Sequence, residues 1–377
     1  MEVLRLNNKV FEYFDVTKSD LRWNDWRWQY RNRISDVDTL SKIVDLSELE
    51  KAEINRCLSA YSMAITPYYA SLMSKDDTLC PIRMQAIPSI KETIVHIGEM
   101  TDPLAEEASS PVANIVHRYP DRVLFLVSHQ CAVYCRHCIR KIRVGDEGFY
   151  LSEKEKNAAI EYIAKTPQIR DVLISGGDPL AMGDDYLEDI LSRLSKIEHI
   201  EIIRIGTRVP VVMPMRITES LLTMLRKYHP LWLNTQFNHP KELTKEAVDA
   251  CNMLSDAGIP LGNQSVLLRG INDDIDTMKE LLLGLVKARV RPYYLYQCDL
   301  NEGIGHFRTK VDVGIKIIEQ LTGTITGFAI PKYVIDTPGG GGKIPINPNF
   351  VVSHEDQSIT MKNYEGKTFI YTEYITE

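Results

Sequence analysis

Three cysteines fall within one short stretch, Cys131, Cys135 and Cys138, spaced C-x3-C-x2-C. They follow an apolar run, Arg122 to Ser128, that reads as a buried strand. A loop at the end of such a strand is where α/β folds place their chemistry. Three thiolates can hold three irons of a 4Fe–4S cluster, whose usual protein complement is four cysteines. The absent fourth ligand leaves one iron open to a substrate or cofactor. The alternative is a Cys3His zinc site completed by His137. Such sites usually add a second, distant ligand pair, and no second cluster is present in the sequence. Cys57, Cys80, Cys251 and Cys298 are scattered, and buried small hydrophobes are the expectation for them.

Further polar residues stand at the ends of apolar runs. Ser175, Gly176, Gly177 and Asp178 close one run, where two glycines let a ligand approach the backbone, although Gly-Gly-Asp is also an ordinary turn signal. Gln264 interrupts another run and must find a partner if buried. The segment Asp336-Thr-Pro-Gly339-Gly-Gly-Gly342-Lys343 offers a backbone open enough for a bulky ring, with a lysine reaching out of a flexible loop. It is not a phosphate-binding P-loop, because Ile344 follows the lysine. A lysine of lowered pKa can form a Schiff base with a carbonyl. Arg118 and Arg122 suit a phosphate, since guanidinium donors form a rigid fork, or else they make surface ion pairs. Asp299 ends one run and Asp336 another. If both are buried together they repel and cost desolvation unless a cation lies between them, so the pair predicts a cationic ligand; otherwise they cap loops.

The elements that position these residues show in the periodicity. Residues 1 to 110 read as mainly helical. Trp23, Trp26 and Trp28 alternate with arginines, a pattern of aromatics packing inward while arginines face water. The run from Ile54 to Leu72 has helical spacing, with Pro67 expected to kink or end the helix. From Arg122 onward, strand-like runs at 122–128, 171–175, 201–205, 231–236, 261–267, 291–297 and 328–335 alternate with helical patterns. That alternation implies a parallel sheet. Six or so units are too few for a closed eight-stranded barrel, so the expected fold is α/β, an open, partial (βα)6 barrel. The expected divisions are a helical region over 1–112, the barrel over 113–337, and a lysine loop with a short strand-rich extension over 338–377.

Composition narrows the class. The chain has 377 residues, 44% hydrophobic and 25% charged, as in globular proteins that bury a large core. A net charge of −7 argues against a general nucleic-acid binder. No apolar stretch reaches the ~18 residues that span a bilayer, and the first residues lack the layout of a signal peptide. Clustered rather than paired cysteines suit a reducing cytoplasm.

The cysteine spacing after a first strand resembles the radical S-adenosylmethionine (SAM) enzymes. The wider string from His117 to Lys141 and the Gly-rich lysine segment resemble the lysine 2,3-aminomutase family over nearly the whole chain. The resemblance implies a 4Fe–4S cluster on Cys131, Cys135 and Cys138. It places SAM against Ser175, Gly176, Gly177, Asp178 and Gln264, and pyridoxal 5′-phosphate on Lys343 with Arg118 and Arg122 at its phosphate and Tyr119 beside it. Arg140 would take the substrate carboxylate, and Asp299 and Asp336 a distal ammonium. The implied reaction moves the α-amino group of free L-lysine to the β-carbon through a 5′-deoxyadenosyl radical, with an electron donor such as flavodoxin or ferredoxin and a homo-oligomeric assembly. The same migration on arginine, ornithine or a lysine of translation factor EF-P is the alternative. In related glutamate 2,3-aminomutases the two aspartate positions carry other residues, which disfavours that substrate. The chain departs from the family at Gln236, Ile139 and Lys141, near the presumed site. It also has no cysteine after Cys298 and Asn272-Asp273-Asp274 in the fifth-strand loop, so no structural zinc is expected.

Overall fold

The computed structural model describes residues 6–145 and 150–373. Six helices come first: α1 (Asn8–Phe14), α2 (Trp26–Arg31), α3 (Val37–Ile43), α4 (Glu48–Leu58), α5 (Pro67–Ser71) and α6 (Pro81–Ala86). Pro67 begins a helix instead of ending one. It occupies the first turn of α5, where a missing N–H is no loss, and Thr66 caps that turn by accepting from the Tyr69 amide. The tryptophans pack as expected: Trp23 and Trp26 are buried, and the Arg216 guanidinium lies 4.5 Å over the Trp26 ring.

A nine-stranded sheet follows in sequence order. Its strands are β1 (Ile115–Tyr119), β2 (Arg122–Leu126), β3 (Asp171–Ser175), β4 (Ile202–Gly206), β5 (Leu231–Thr235), β6 (Leu261–Leu267), β7 (Arg291–Gln297), β8 (Lys332–Thr337) and β9 (Gly342–Pro345). Strands β2 to β8 are parallel, and an antiparallel strand is added at each edge, β1 on β2 and β9 on β8. Each strand from β2 to β7 leads into a helix: α7 (Glu153–Ala164), α8 (Asp184–Leu194), the short α9 (Val209–Val212) with α10 (Glu219–Leu225), α11 (Lys245–Asp256), α12 (Ile275–Lys287) and α13 (Val311–Leu321). These are the six βα units of a partial barrel. The helices start where the sequence supplies caps: Ser152 with Glu155 closes a capping box on α7, and Thr218, Thr244 and Asp274 cap α10, α11 and α12.

Strand alternation separates core from lumen. On β3, Val172 and Ile174 are buried under the helices while Asp171, Leu173 and Ser175 line a central cavity; on β4, Ile203 and Ile205 are buried while Arg204 and Gly206 line it. The sheet stays open between β1 and β9. Side chains join that seam instead: Arg118 of β1 meets Asp336 of β8 at 3.0 Å, and the Lys343 amide of β9 donates to the Tyr119 hydroxyl at 2.9 Å. Beyond it lies a separate antiparallel sheet, β10 (Val351–Glu355), β11 (Ser358–Lys362) and β12 (Thr368–Thr372), within the stretch expected to be strand-rich, with the turn between β11 and β12 at 363–367.

The helical region is tied to the cysteine loop by buried charge. Glu92 accepts from Arg136 Nε at 3.0 Å and from Lys141 Nζ at 2.6 Å. Burial would raise its carboxyl, but Arg136 and Lys141 hold it below the ordinary glutamate value. Lys141 therefore faces away from the cavity, into this pair. Truncating one member of a buried ion network leaves an uncompensated charge. Glu92→Ala is expected to lower unfolding stability by about 3–5 kcal/mol, read from the denaturant midpoint.

Candidate active site

One cavity of about 630 Å³ opens in the barrel, and every residue expected to hold cluster, cofactor or substrate lines it: the three cysteines, the Ser175 to Asp178 turn, Arg118, Tyr119, Arg122, Arg140, Gln264, Asp299, Asp336 and Lys343. The strands bring them in from separate sides. β1 and β2 supply the first arginines, the loop after β2 the cysteines and Arg140, the end of β3 the glycine turn, β6 Gln264, the end of β7 Asp299, and β8 with β9 Asp336 and Lys343.

The cysteine loop is shaped by its neighbours. Gly176 adopts φ +131°, and a Cβ there would lie 2.4 Å from the Ser128 carbonyl oxygen; at Gly177 it would lie 2.4 Å from the Gln130 oxygen. The glycines thus admit the cysteine loop itself, and the Gly177 and Asp178 amides donate to the Ser128 and Gln130 carbonyls. Asp178 is buried and turned to β4, accepting from the Thr207 hydroxyl at 2.6 Å and the Arg208 amide at 2.7 Å. Its carboxyl is pushed up by burial. On the far side Arg33 Nη1 donates to the Cys131 carbonyl at 2.5 Å. None of the three cysteines is in a disulfide. Burial pushes the Cys131 and Cys138 thiols up, so their thiolates need a cation. Arg208 Nη1 already lies 2.7 Å from Cys135 Sγ. His137 is buried, its Nε2 3.3 Å from Asn238 Nδ2 and its ring edge-on to Phe307.

Lys343 does not sit in a flexible loop. It lies on β9 directly opposite Asp336, because the glycine run makes a tight turn, Pro338–Gly340, that folds the chain back onto β8. Lys343 Nζ donates to Asp336 Oδ2 at 2.8 Å, between the faces of Tyr119 and Tyr296, 6.0 and 5.7 Å from the ring centroids. Gly342, at φ +84°, leaves room for the Tyr119 hydroxyl, which a Cβ would approach to 2.9 Å. Arg118 pairs with Asp336 and also donates to the Leu104 carbonyl, while its buried Nε has no partner among the described residues. Arg122 stacks 3.8 Å over the Tyr119 ring and pairs with Asp121.

The cavity's cations are otherwise matched one to one with acids: Arg140 with Glu106, Arg204 with Asp171, Arg208 with Glu242. Among the described residues, Asp299 has neither an ion pair nor a hydrogen-bond donor. Burial and the nearby Asp336 push its carboxyl up to about 7, although Lys343, Arg118 and Arg140 pull it down from farther off.

Glu106, Arg204, Arg208 and Tyr296 were not singled out in the sequence. Thr207 and Arg208 follow the end of β4, so the reasoning that marked other strand ends reaches them. Glu106 lies in an irregular segment that carries no such signal.

A cysteine-bearing loop at the mouth of a six-unit partial barrel places the chain with the radical SAM enzymes, and residues 125–282 match the Radical SAM superfamily. That class carries a 4Fe–4S cluster and SAM, and three free, half-buried thiols that line the cavity beside a guanidinium fit such a cluster. Residues 318–376 match the family model for lysine-2,3-aminomutase. An L-lysine 2,3-aminomutase of Fusobacterium nucleatum is 54% identical over 94% of this chain and 84% of its own length, and that of Clostridium subterminale 51% over 98% and 88%. A glutamate 2,3-aminomutase of Clostridioides difficile is 44% identical over 97% and 86%. The chain belongs to the lysine 2,3-aminomutase family, whose members are isomerases.

The close approach at Gly177 is testable. Gly177→Ala is expected to displace the backbone before Cys131, lowering iron bound per chain after anaerobic reconstitution and destabilising the fold by about 1–3 kcal/mol, read by iron assay and thermal melting.

Proposed function

We propose that this protein moves the α-amino group of free L-lysine to the β-carbon, giving β-lysine. Cys131, Cys135 and Cys138 hold the cluster, SAM lies against the Ser175 to Asp178 turn and Gln264, and Lys343 holds pyridoxal 5′-phosphate. When bound, cluster and SAM supply a 5′-deoxyadenosyl radical, and pyridoxal phosphate supplies a carbonyl for the migrating amine and an electron sink. One electron comes from a small donor such as flavodoxin or ferredoxin.

The observation that carries the choice of substrate is the unmatched Asp299 beside Asp336. With Lys343 Nζ committed to pyridoxal phosphate, its ammonium would no longer neutralise Asp336, and the distal ammonium of lysine would supply that charge to the two aspartates. A glutamate side chain would add a third carboxylate to the same place. At the other end, Glu106 holds the Nε and Nη2 edge of Arg140, with Nε to Oε2 at 3.0 Å, which leaves the Nη1 edge for the substrate carboxylate. Arg118 and Arg122 line the wall beside Lys343, where a phosphate is expected. Tyr119 fixes the Lys343 backbone through its hydroxyl.

Anaerobic reconstitution with iron, sulfide and pyridoxal phosphate, followed by SAM, dithionite and a single amino acid, tests the reading by chiral mass spectrometry. β-Lysine is the expected product. Conversion of arginine or ornithine in its place would move the substrate, and conversion of glutamate would overturn the two-aspartate argument.

Two further outcomes follow from the carboxylates. Asp336→Asn is expected to raise KM for lysine roughly 10–100-fold, compared in protein matched for iron and pyridoxal phosphate content because Asp336 also holds Arg118 and Lys343; an unchanged KM removes Asp336 from the substrate site. Because the Asp299 carboxyl is held near 7 and a bound ammonium favours its ionised form, lysine affinity should strengthen as pH rises through about 7. Below that it should weaken by up to about tenfold per pH unit. Asp299→Asn should flatten the profile, measured by lysine titration between pH 6 and 8.

A further inference from the structure

Arg208 follows the end of β4, and its side chain is 7% exposed. All three guanidinium nitrogens are engaged. Nε donates to the Gln236 carbonyl at 3.2 Å, and Nη2 to Gln85 Oε1 at 2.6 Å, to Glu242 Oε1 at 2.7 Å and to the Tyr69 hydroxyl at 3.2 Å. Nη1 points the other way and donates to Cys135 Sγ at 2.7 Å. Glu242, fully buried, is itself pinned, since its Oε2 accepts from the Asn238 and His239 amides at 2.6 and 3.0 Å. The guanidinium is therefore fixed between a cysteine sulfur and a carboxylate, with little freedom to swing away from either.

We propose that Arg208 sets the reduction potential of the cluster through its hydrogen bond to Cys135 Sγ, with Glu242 as the counter-charge that limits the effect. The proposal rests on the reading that Cys135 is a cluster ligand. Reduction adds one electron from the external donor and no proton, so the cluster and its thiolate ligands gain one negative charge. A fixed cation hydrogen-bonded to one of those sulfurs favours the more negative state, and the favour is large where solvent is excluded. A buried carboxylate behind the cation opposes it. Arg208 is thus a positioning and tuning residue that acts through Cys135, and it need not touch substrate.

The test is a redox titration of reconstituted protein without SAM, using dithionite and mediators, with the reduced cluster followed by electron paramagnetic resonance. Arg208→Gln is expected to shift the reduction equilibrium at least tenfold toward the oxidised cluster, which is 59 mV lower for a one-electron couple. Glu242→Gln is expected to shift it the other way. Arg208→Gln alone leaves Glu242 buried without its cation and can fail to fold. The comparison of Glu242→Gln with the double variant Arg208→Gln/Glu242→Gln isolates the same effect without that unpaired charge, and the double variant should titrate lower by a similar interval. Midpoints that agree among wild type and variants, or that all move in one direction, make Arg208 a structural tie and overturn the proposal. A wild-type protein with no 4Fe–4S signal overturns the ligand reading beneath it, and so the two failures are told apart.

Discussion

An open barrel must hold its two edges together without a ladder of hydrogen bonds between them. Here that task falls to the ion pair of Arg118 with Asp336, whose side chains are 11% and 7% exposed. A buried pair of this kind recovers its desolvation cost only with good geometry and further partners. Both are present: Asp336 spends its second oxygen on Lys343, and Arg118 spends Nη2 on the Leu104 carbonyl. The strand register does the rest, since β9 sets Lys343 directly across from Asp336. The residues that close the seam are those expected to meet cofactor and substrate, so the geometry of the cavity wall and the closure of the fold are one constraint.

The cysteine loop is held in a similar way, from several directions, by groups that reach it from distant parts of the chain. Glu92 anchors Arg136 and Lys141 behind it, Arg33 holds the Cys131 carbonyl, and the Gly176–Gly177 backbone lies against Ser128 and Gln130. The N-terminal helices thus form the outer wall of the site. Without them the loop would carry buried amides and charges with no partners, which is costly in a low-dielectric interior. Lys141, next to Arg140 in the sequence, takes part in this anchoring and not in the lumen.

Local signals made the barrel legible. β3, β6 and β7 begin and end where the apolar runs do, because a strand buried beneath helices must be apolar on at least one face along its whole length. Helices α7 and α11 begin at the residue after their caps, Ser152 and Thr244. Pro67 was misread because the same residue that breaks a helix interior is favoured in a first turn, and only the position of Thr66 as a cap distinguishes the cases. The glycine run was read as a flexible loop because glycine signals freedom when taken alone; pairing of β8 with β9 removes that freedom, and this is a tertiary fact. Gly176 and Gly177 suggest from the sequence the approach of a ligand, and the group that comes closest to them in the structure is the chain's own backbone at Ser128 and Gln130. Glu106 left no trace in the pattern, since a carboxylate in an irregular segment looks like any solvated acid until Arg140 is placed beside it.

Counting charge around the lumen then gives the site its chemical sense. Arg140, Arg204 and Arg208 each face an acid of their own, and Arg118 and Lys343 share Asp336. Such matching keeps a crowded polar interior affordable while holding every guanidinium at a fixed angle. Asp299 breaks the pattern, and its carboxyl near 7 records the strain of a charge without a partner. A neutral ligand would leave it unrelieved, and an anion would add to it. On the proposed reading, a ligand with one anionic end for Arg140 and one cationic end for Asp299 and Asp336 suits these groups, and an amino acid with a basic side chain has that form.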